Sequence, residues 1–216
     1  LEWAIRESAR LSKPVIYVPG NHEFYHHEYF SLKNKMSSIC EGTDVHCLDC
    51  GVYESSGVRI IGATLWSDYA INSQLALERV MDLAEGRMPD HRIIKFNSGD
   101  GIDVFKALDA LSIHNKEVNW IEQQLSCDFD GQTIVVTHHG PHSVCEHPGF
   151  PESDIAGAFN SDLSRLLDAY DIDLWVYGHT HANIDVMVAN TRIVSNQAGY
   201  PGENVANFDD NFMVNV

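Results

Sequence analysis

The sequence has few basic residues, few cysteines and no long apolar run, and each shortage removes a class of protein. Lys and Arg number 14 against 31 Asp and Glu, a formal charge of −17, with a pI near 4.9. Such a surface repels phosphate backbones and no basic patch interrupts it, so nucleic-acid binding by charge is not expected. The five cysteines (Cys40, Cys47, Cys50, Cys127 and Cys145) are odd in number and sparse within 216 residues, which predicts free thiols rather than a disulfide scaffold. No window approaches about 18 consecutive apolar residues, and Leu1–Glu7 offers neither a basic lead nor a small-residue cleavage site. A cytoplasmic protein without a membrane partner is the expectation.

What is present suits a globular protein: 44% of residues are hydrophobic and 21% charged, and a chain near this length buries about 70% of its unfolded surface. The numbering opens on Leu1, already inside a 3.6-residue period (Leu1, Ile5, Ser8, Ala9 and Ser12), which predicts further residues upstream in the complete protein. Strand patterns at 15–18, 45–48, 57–64, 133–137, 174–177, 183–188 and 191–195 alternate with helical ones at 23–39, 71–84, 102–125 and 163–170. This alternation without internal repeats predicts one α/β domain over 1–216, with 86–101 as a surface excursion and 140–160 as a long loop.

Three strand ends share one arrangement, in which a short apolar run stops and Asn or His follows at once. They are Gly20-Asn21-His22-Glu23, Thr137-His138-His139 and Gly178-His179-Thr180-His181. In α/β sheets, sites form beyond the carboxyl ends of strands, so these segments can converge from distant points in sequence. Neutral imidazoles and a side-chain carbonyl suit borderline divalent ions such as Mn, Fe, Zn or Ni. Extended backbone would turn His179 and His181 to the same side.

These motifs, in this order, resemble the calcineurin-like metallophosphoesterases, whose later motifs read Gly-Asn-His-Asp/Glu, a His pair after a strand, and Gly-His-x-His. The resemblance implies two packed mixed β-sheets flanked by helices, and hydrolysis of a phosphomonoester or phosphodiester, small molecule or protein, at a centre of two divalent metal ions. By the same resemblance, Asn21, His138 and His179 are ligands of one metal and His181 of the other. His22 would contact the substrate phosphate and protonate the leaving group. The run Ser195–Glu203 resembles the closing segment of bacterial members, with Gln197-Ala198 where many carry Pro-Arg. The family's opening Asp-x-His and Gly-Asp motifs, with the bridging carboxylate, have no counterpart between Leu1 and Asn21, and Asp100 follows no clear core strand.

Other residues admit two readings each. His139 contacts substrate or makes an ordinary loop hydrogen bond. His26 and His27 read as helix surface or pocket wall. Cys47-x-x-Cys50 with Cys40 has the look of a zinc knuckle, but strand and hairpin patterning already account for that stretch. No Gly-x-Ser-x-Gly element or Walker loop is present. Two rivals to the dinuclear hydrolase remain: a catalytically inactive metal-binding or interaction domain lacking the first-metal ligands, and a single-metal hydrolase using Asn21, His138 and His179. Substrate identity and oligomeric state have no sequence signature.

Overall fold

Short β-branched runs bounded by Gly, Pro or polar residues become the strands, and amphipathic stretches become the helices around them. The computed structural model describes residues 1–71, 74–151 and 153–216. In chain order, α1 (Glu2–Leu11), β1 (Val15–Tyr17), a 3-10 turn over Asn21–Phe24, α2 (Tyr29–Cys40), β2 (Val45–Cys47), β3 (Gly51–Ser55) and β4 (Val58–Ala63) come first. Next are α3 (Leu77–Arg87), the single turn α4 (Asp90–Ile93), β5 (Lys95–Asn97), β6 (Ile102–Val104) and α5 (Ala107–Leu125). The chain continues through β7 (Gln132–Thr137), α6 (Ser164–Ala169), β8 (Leu174–Val176), β9 (Ile184–Val188) and β10 (Thr191–Ser195).

The larger sheet has the order β3-β4-β7-β8-β10-β9. Its four central strands run parallel, and β3 and β9 lie antiparallel at the edges. Parallel central strands point all their carboxyl ends the same way, which sets the location of a site before any side chain is considered. A second sheet is the parallel pair β1-β2, and β5-β6 form a small antiparallel hairpin. Helices α1 and α2 pack on the β1-β2 pair and α5 on β4, so the α/β architecture of packed sheets flanked by helices is present. The sheets come together at Gly62, where a Cβ would lie 2.4 Å from Leu48 Cβ and 3.1 Å from Val18 Cγ2, a gap only glycine allows. No helix among the described residues is long and apolar enough to cross a membrane.

Two apolar clusters hold these layers. One fills the large sheet's interior with Ile61, Leu65, Val135, Trp175 and Ile193, each no more than 2% exposed. The other is aromatic: Phe24 stacks on Tyr29 at 4.4 Å, Tyr29 on Phe105 at 5.7 Å, and Trp66 tilts against Phe105 at 4.6 Å between centroids. Rings this close add attraction beyond the area they bury.

This cluster corrects the expectation for 86–101. The segment is anchored, with Asp90 1%, His91 6% and Ile94 0% exposed. Its polar groups come inside because each finds a partner. His91 Nδ1–H donates to the Phe105 carbonyl at 3.1 Å and its Nε2 accepts from Tyr69 Oη at 3.2 Å, and buried polar groups are tolerated when paired in this way. Helix α3 starts at Leu77, later than the expected 71, and Asn72 and Ser73 of that expected helix lie outside the described residues, as does Glu152 of the loop at 140–160. Strand β3 was not anticipated; Val52, Glu54 and Ser55 are exposed, so it lacks the apolar run that marks a core strand.

Burial holds His91 and His114 below the ordinary histidine pKa. The unfolded chain takes up protons at these rings below about 6.5 while the folded chain resists, so stability present above that pH is lost as it falls. Urea midpoints should decline between about pH 7 and about pH 5, and a His91→Gln/His114→Gln double variant should decline less steeply. An unchanged slope would refute the assignment.

Candidate metal centre

Thr64, directly after β4, brings three strand ends together. Its carbonyl accepts from the backbone N–H groups of His138 at 3.1 Å and His139 at 3.2 Å, and from His139 Nδ1–H at 3.3 Å. Its hydroxyl donates to the Pro19 carbonyl at 2.9 Å, one residue before Gly20-Asn21. The end of β8 joins through Gly178 N–H on the His138 carbonyl at 3.0 Å. Gly20 leaves room for the ring it faces, because a Cβ there would stand 2.5 Å from His138 Cε1.

The result is a trio. Asn21 Oδ1 lies 2.9 Å from His138 Nε2, which lies 3.1 Å from His179 Nδ1. The amide orientation follows from the contact on its other side: the amide nitrogen only donates, and Asp90 Oδ1 accepts Asn21 Nδ2–H at 2.7 Å. Tyr25 Oη donates to the other oxygen, Asp90 Oδ2, at 3.2 Å. Burial first, and the neighbouring imidazoles second, hold His138 and His179 well below the ordinary histidine range, so both rings are neutral.

This set fits a cation better than it fits itself. Three lone-pair-bearing atoms converge on one point and share at most one proton there, while His179 Nε2 is buried with no partner at all. The donors, two imidazoles and an amide oxygen, are those that borderline divalent ions accept.

His181 lies on the wall of the same cavity, near enough for its charge to disfavour protonation of His138 and His179. Its Nδ1 meets Glu203 Oε2 at 2.7 Å, and its ring sits edge-on to Tyr200 at 4.7 Å. His22 is exposed at the mouth, stacked on Tyr25 at 4.4 Å, with Nε2 3.1 Å from Tyr200 Oη. His139, by contrast, is 1% exposed and packs behind His179 with ring centroids 4.3 Å apart. It does not line the cavity, so the substrate contact considered for it gives way to the bond with Thr64, which its buried position requires. His26 and His27 are exposed and also outside the cavity lining.

One local expectation is corrected by the backbone. His179 and His181 have φ of 69° and 54°, so the motif is a left-handed turn and not extended chain. Such conformations cost about 1–3 kcal/mol for residues other than Gly and persist only when the surroundings hold them. Gln197 supplies that hold: Oε1 accepts from His181 N–H at 2.7 Å, and Nε2 donates to Thr180 Oγ1 at 3.1 Å and to the Ala182 carbonyl at 2.9 Å. Where many relatives are expected to place Pro-Arg, this chain has an amide that clamps the histidine turn.

The cavity encloses about 670 Å³ and is bordered by Asn21, His22, Asp90, His138, His179, His181 and the Gln197–Glu203 segment. An apolar annex of about 250 Å³ opens beside it, walled by Phe150, Ile155, Ala156 and Phe159. Away from both stands the one group of three His, Cys, Asp or Glu side chains, among the described residues, whose ligand atoms all lie within 4.8 Å of one another: Asp49, Cys50 and Glu117. Among the described residues, no carboxylate therefore joins His138 and His179 in such a group. Burial, then the Asp49 charge, pushes the Glu117 carboxyl up to about 8, and burial pushes the Cys50 thiol up to about 12. Cys50 thus groups with two carboxylates and not with Cys47, whose thiol contacts Cys40; all five cysteines are free.

Two imidazoles and an amide oxygen thus gather at the carboxyl ends of parallel strands in an α/β fold, beside a sizeable cavity. The description of the calcineurin-like phosphoesterases matches residues 1–183, and the chain belongs to that family. It is 26% identical over 202 residues to the uncharacterized protein L509 of Acanthamoeba polyphaga mimivirus, covering 88% of this chain and 69% of that protein. A solved structure, the phosphopantetheinyl hydrolase PptH from Mycobacterium tuberculosis, has a TM-score of 0.66 at 18% identity over 87% of this chain and 70% of that one. That likeness concerns the fold.

Thr64→Val keeps the shape of the side chain and removes its donor, leaving the buried Pro19 carbonyl without its partner. The variant should lose about 1–3 kcal/mol of unfolding free energy, with an unaltered m-value in urea. A loss below about 0.5 kcal/mol, the range of an ordinary surface substitution, would show that the strand ends are held by other means.

Proposed function

We propose that the protein is a metal-dependent phosphoester hydrolase in which Asn21, His138 and His179 hold one divalent cation and His181 contributes to a second. The observation that carries this reading is the meeting of Asn21 Oδ1 and His179 Nδ1 on His138 Nε2, at 2.9 and 3.1 Å from it. When bound, divalent cations such as Mn, Fe, Zn or Ni supply Lewis acidity toward the phosphoryl oxygens and make water a competent nucleophile near neutral pH.

The chain's own residues do the remaining work. Asp90 keeps the Asn21 oxygen turned toward the cavity, and Gln197 keeps the histidine turn in its left-handed form. Glu203 orients the His181 ring through Nδ1, as a carboxylate commonly does for a metal-bound imidazole. His22 is exposed at the mouth, where its Nε2, now shared with Tyr200 Oη, can hand a proton to the leaving-group oxygen. His139 supports His179 from behind.

A second reading, a metal-binding domain without catalysis, draws on a specific observation. Among the described residues, the close group of ligand atoms lies elsewhere in the molecule, and no carboxylate joins His138 and His179. Activity separates the two readings. His179→Ala should abolish metal-dependent hydrolysis of an aryl phosphate by the full-length protein while circular dichroism stays unchanged; full activity in the variant would overturn the hydrolase assignment at this cavity.

The annex bears on which phosphoester fits. Its surface is mostly apolar, although Glu146, His147, Ser153, Asn160 and Thr180 also border it, and it is continuous with the cavity through Phe150, Ile155 and Phe159, so a leaving group with an aromatic or aliphatic body buries surface there. Phe150→Ala should lower kcat/KM for 1-naphthyl phosphate about ten-fold and leave glycerol phosphate nearly unaffected, the scale expected of a hydrophobic pocket contact. Equal effects on both esters would place the leaving group elsewhere.

A further inference from the structure

The turn that follows β2 carries Asp49 and Cys50, and the middle of α5 sends Glu117 to meet them. Each contributes one ligand atom to a set lying within 4.8 Å of one another. Glu117 is 2% exposed. Its Oε2 accepts the Trp66 backbone N–H at 3.2 Å, while Oε1 has no partner. Asp49 shows the same division: Oδ2 takes the Lys33 ammonium at 2.7 Å, and Oδ1 is buried and unpartnered.

Structural duties therefore explain one oxygen on each carboxylate and leave the other stripped of water without compensation. Buried polar atoms are rarely abandoned in this way, because each costs the desolvation of the group. Cys50 adds an independent sign. It adopts φ of 53°, a left-handed conformation that strains a residue with a side chain and recurs where a ligand is held.

We propose that Asp49, Cys50 and Glu117 form a divalent-metal site of their own, separate from the histidine cavity, taking a thiophilic borderline cation of the zinc type. Zinc accepts both Cys sulfur and carboxylate oxygen. The charges close: two carboxylates and a thiolate are balanced by the Lys33 ammonium and one divalent ion. Without the cation, neutrality needs protons on Glu117 and Cys50, so binding exchanges the ion for two protons and moves no electrons. The bound ion would fasten the β2–β3 turn to α5.

Cobalt(II) distinguishes this site from the histidine cavity, whose lining includes no cysteine. Titrated into protein carrying His138→Ala and His179→Ala, it should give a thiolate-to-cobalt charge-transfer band that saturates at one equivalent. Cys50→Ser should remove the band, Glu117→Gln should weaken binding at least about ten-fold, and Cys40→Ser and Cys47→Ser should preserve it. Absence of the band, or its survival in Cys50→Ser, would overturn the site. A measurement without any substitution stands beside it: zinc should slow alkylation of Cys50, read by mass spectrometry, and leave exposed Cys127 unaffected. Equal alkylation of Cys50 with and without zinc would overturn it as well.

Discussion

The geometry of the centre depends on how Thr64 is satisfied. One carbonyl receives three N–H groups from the end of β7, and one hydroxyl reaches the end of β1. Parallel strands align their ends only approximately, since each twists against its neighbour. Thr64, fully buried, turns that approximate alignment into a fixed spacing between Asn21 and His138. The hydrogen bonds are individually modest, but at a fully buried residue each is costly to break.

Around that fixed spacing, the polar groups are arranged so that lone pairs face inward and protons face outward. Asp90 draws the Asn21 amide protons away from the cavity. The Glu203 carboxylate takes the Nδ1 position of His181. His138 and His179, held neutral by burial, line a cavity in a strongly acidic protein, and this keeps the local ligand set suited to cations without requiring a cluster of charges. The overall charge of −17 adds a field that favours cations near the molecule and opposes free phosphate anions. A bound cation reverses that sign locally, which is the condition for an anionic ester to enter.

How much of this the sequence disclosed follows from where the physical signal is local. The strand ends were legible because a buried apolar run followed by Asn or His is a short-range pattern, and Asn21, His138, His179 and His181 all border one cavity. Asp90 was not legible: it lies in a polar stretch whose burial depends on Phe105, Tyr69 and Asn21, all distant in sequence. Gln197 was noticed only for differing from a family pattern, and its clamp on His181 appears only when the turn is formed. Extended geometry failed for His179 and His181 because tertiary hydrogen bonds, not local preference, hold them at positive φ. Glu117 had no signal, since it occupies a helical position next to Val118 that periodicity assigns to the interior without regard to charge.

Trp66 explains why two polar groupings coexist so close to one aromatic core. Helix α5 grips the backbone on both sides of this residue, with Glu117 Oε2 on its N–H and His114 Nδ1–H on its carbonyl at 2.5 Å. These side chains stand in for the strand partner that Trp66 lacks beyond β4. The indole then packs 5.3 Å from His139, which packs 4.3 Å from His179. An interior of crystal-like density deforms little under such contacts. The position of α5 is thereby transmitted, ring by ring, to the back of the histidine cavity, and a residue that fixes α5 against the β2–β3 turn also fixes the floor on which His179 rests.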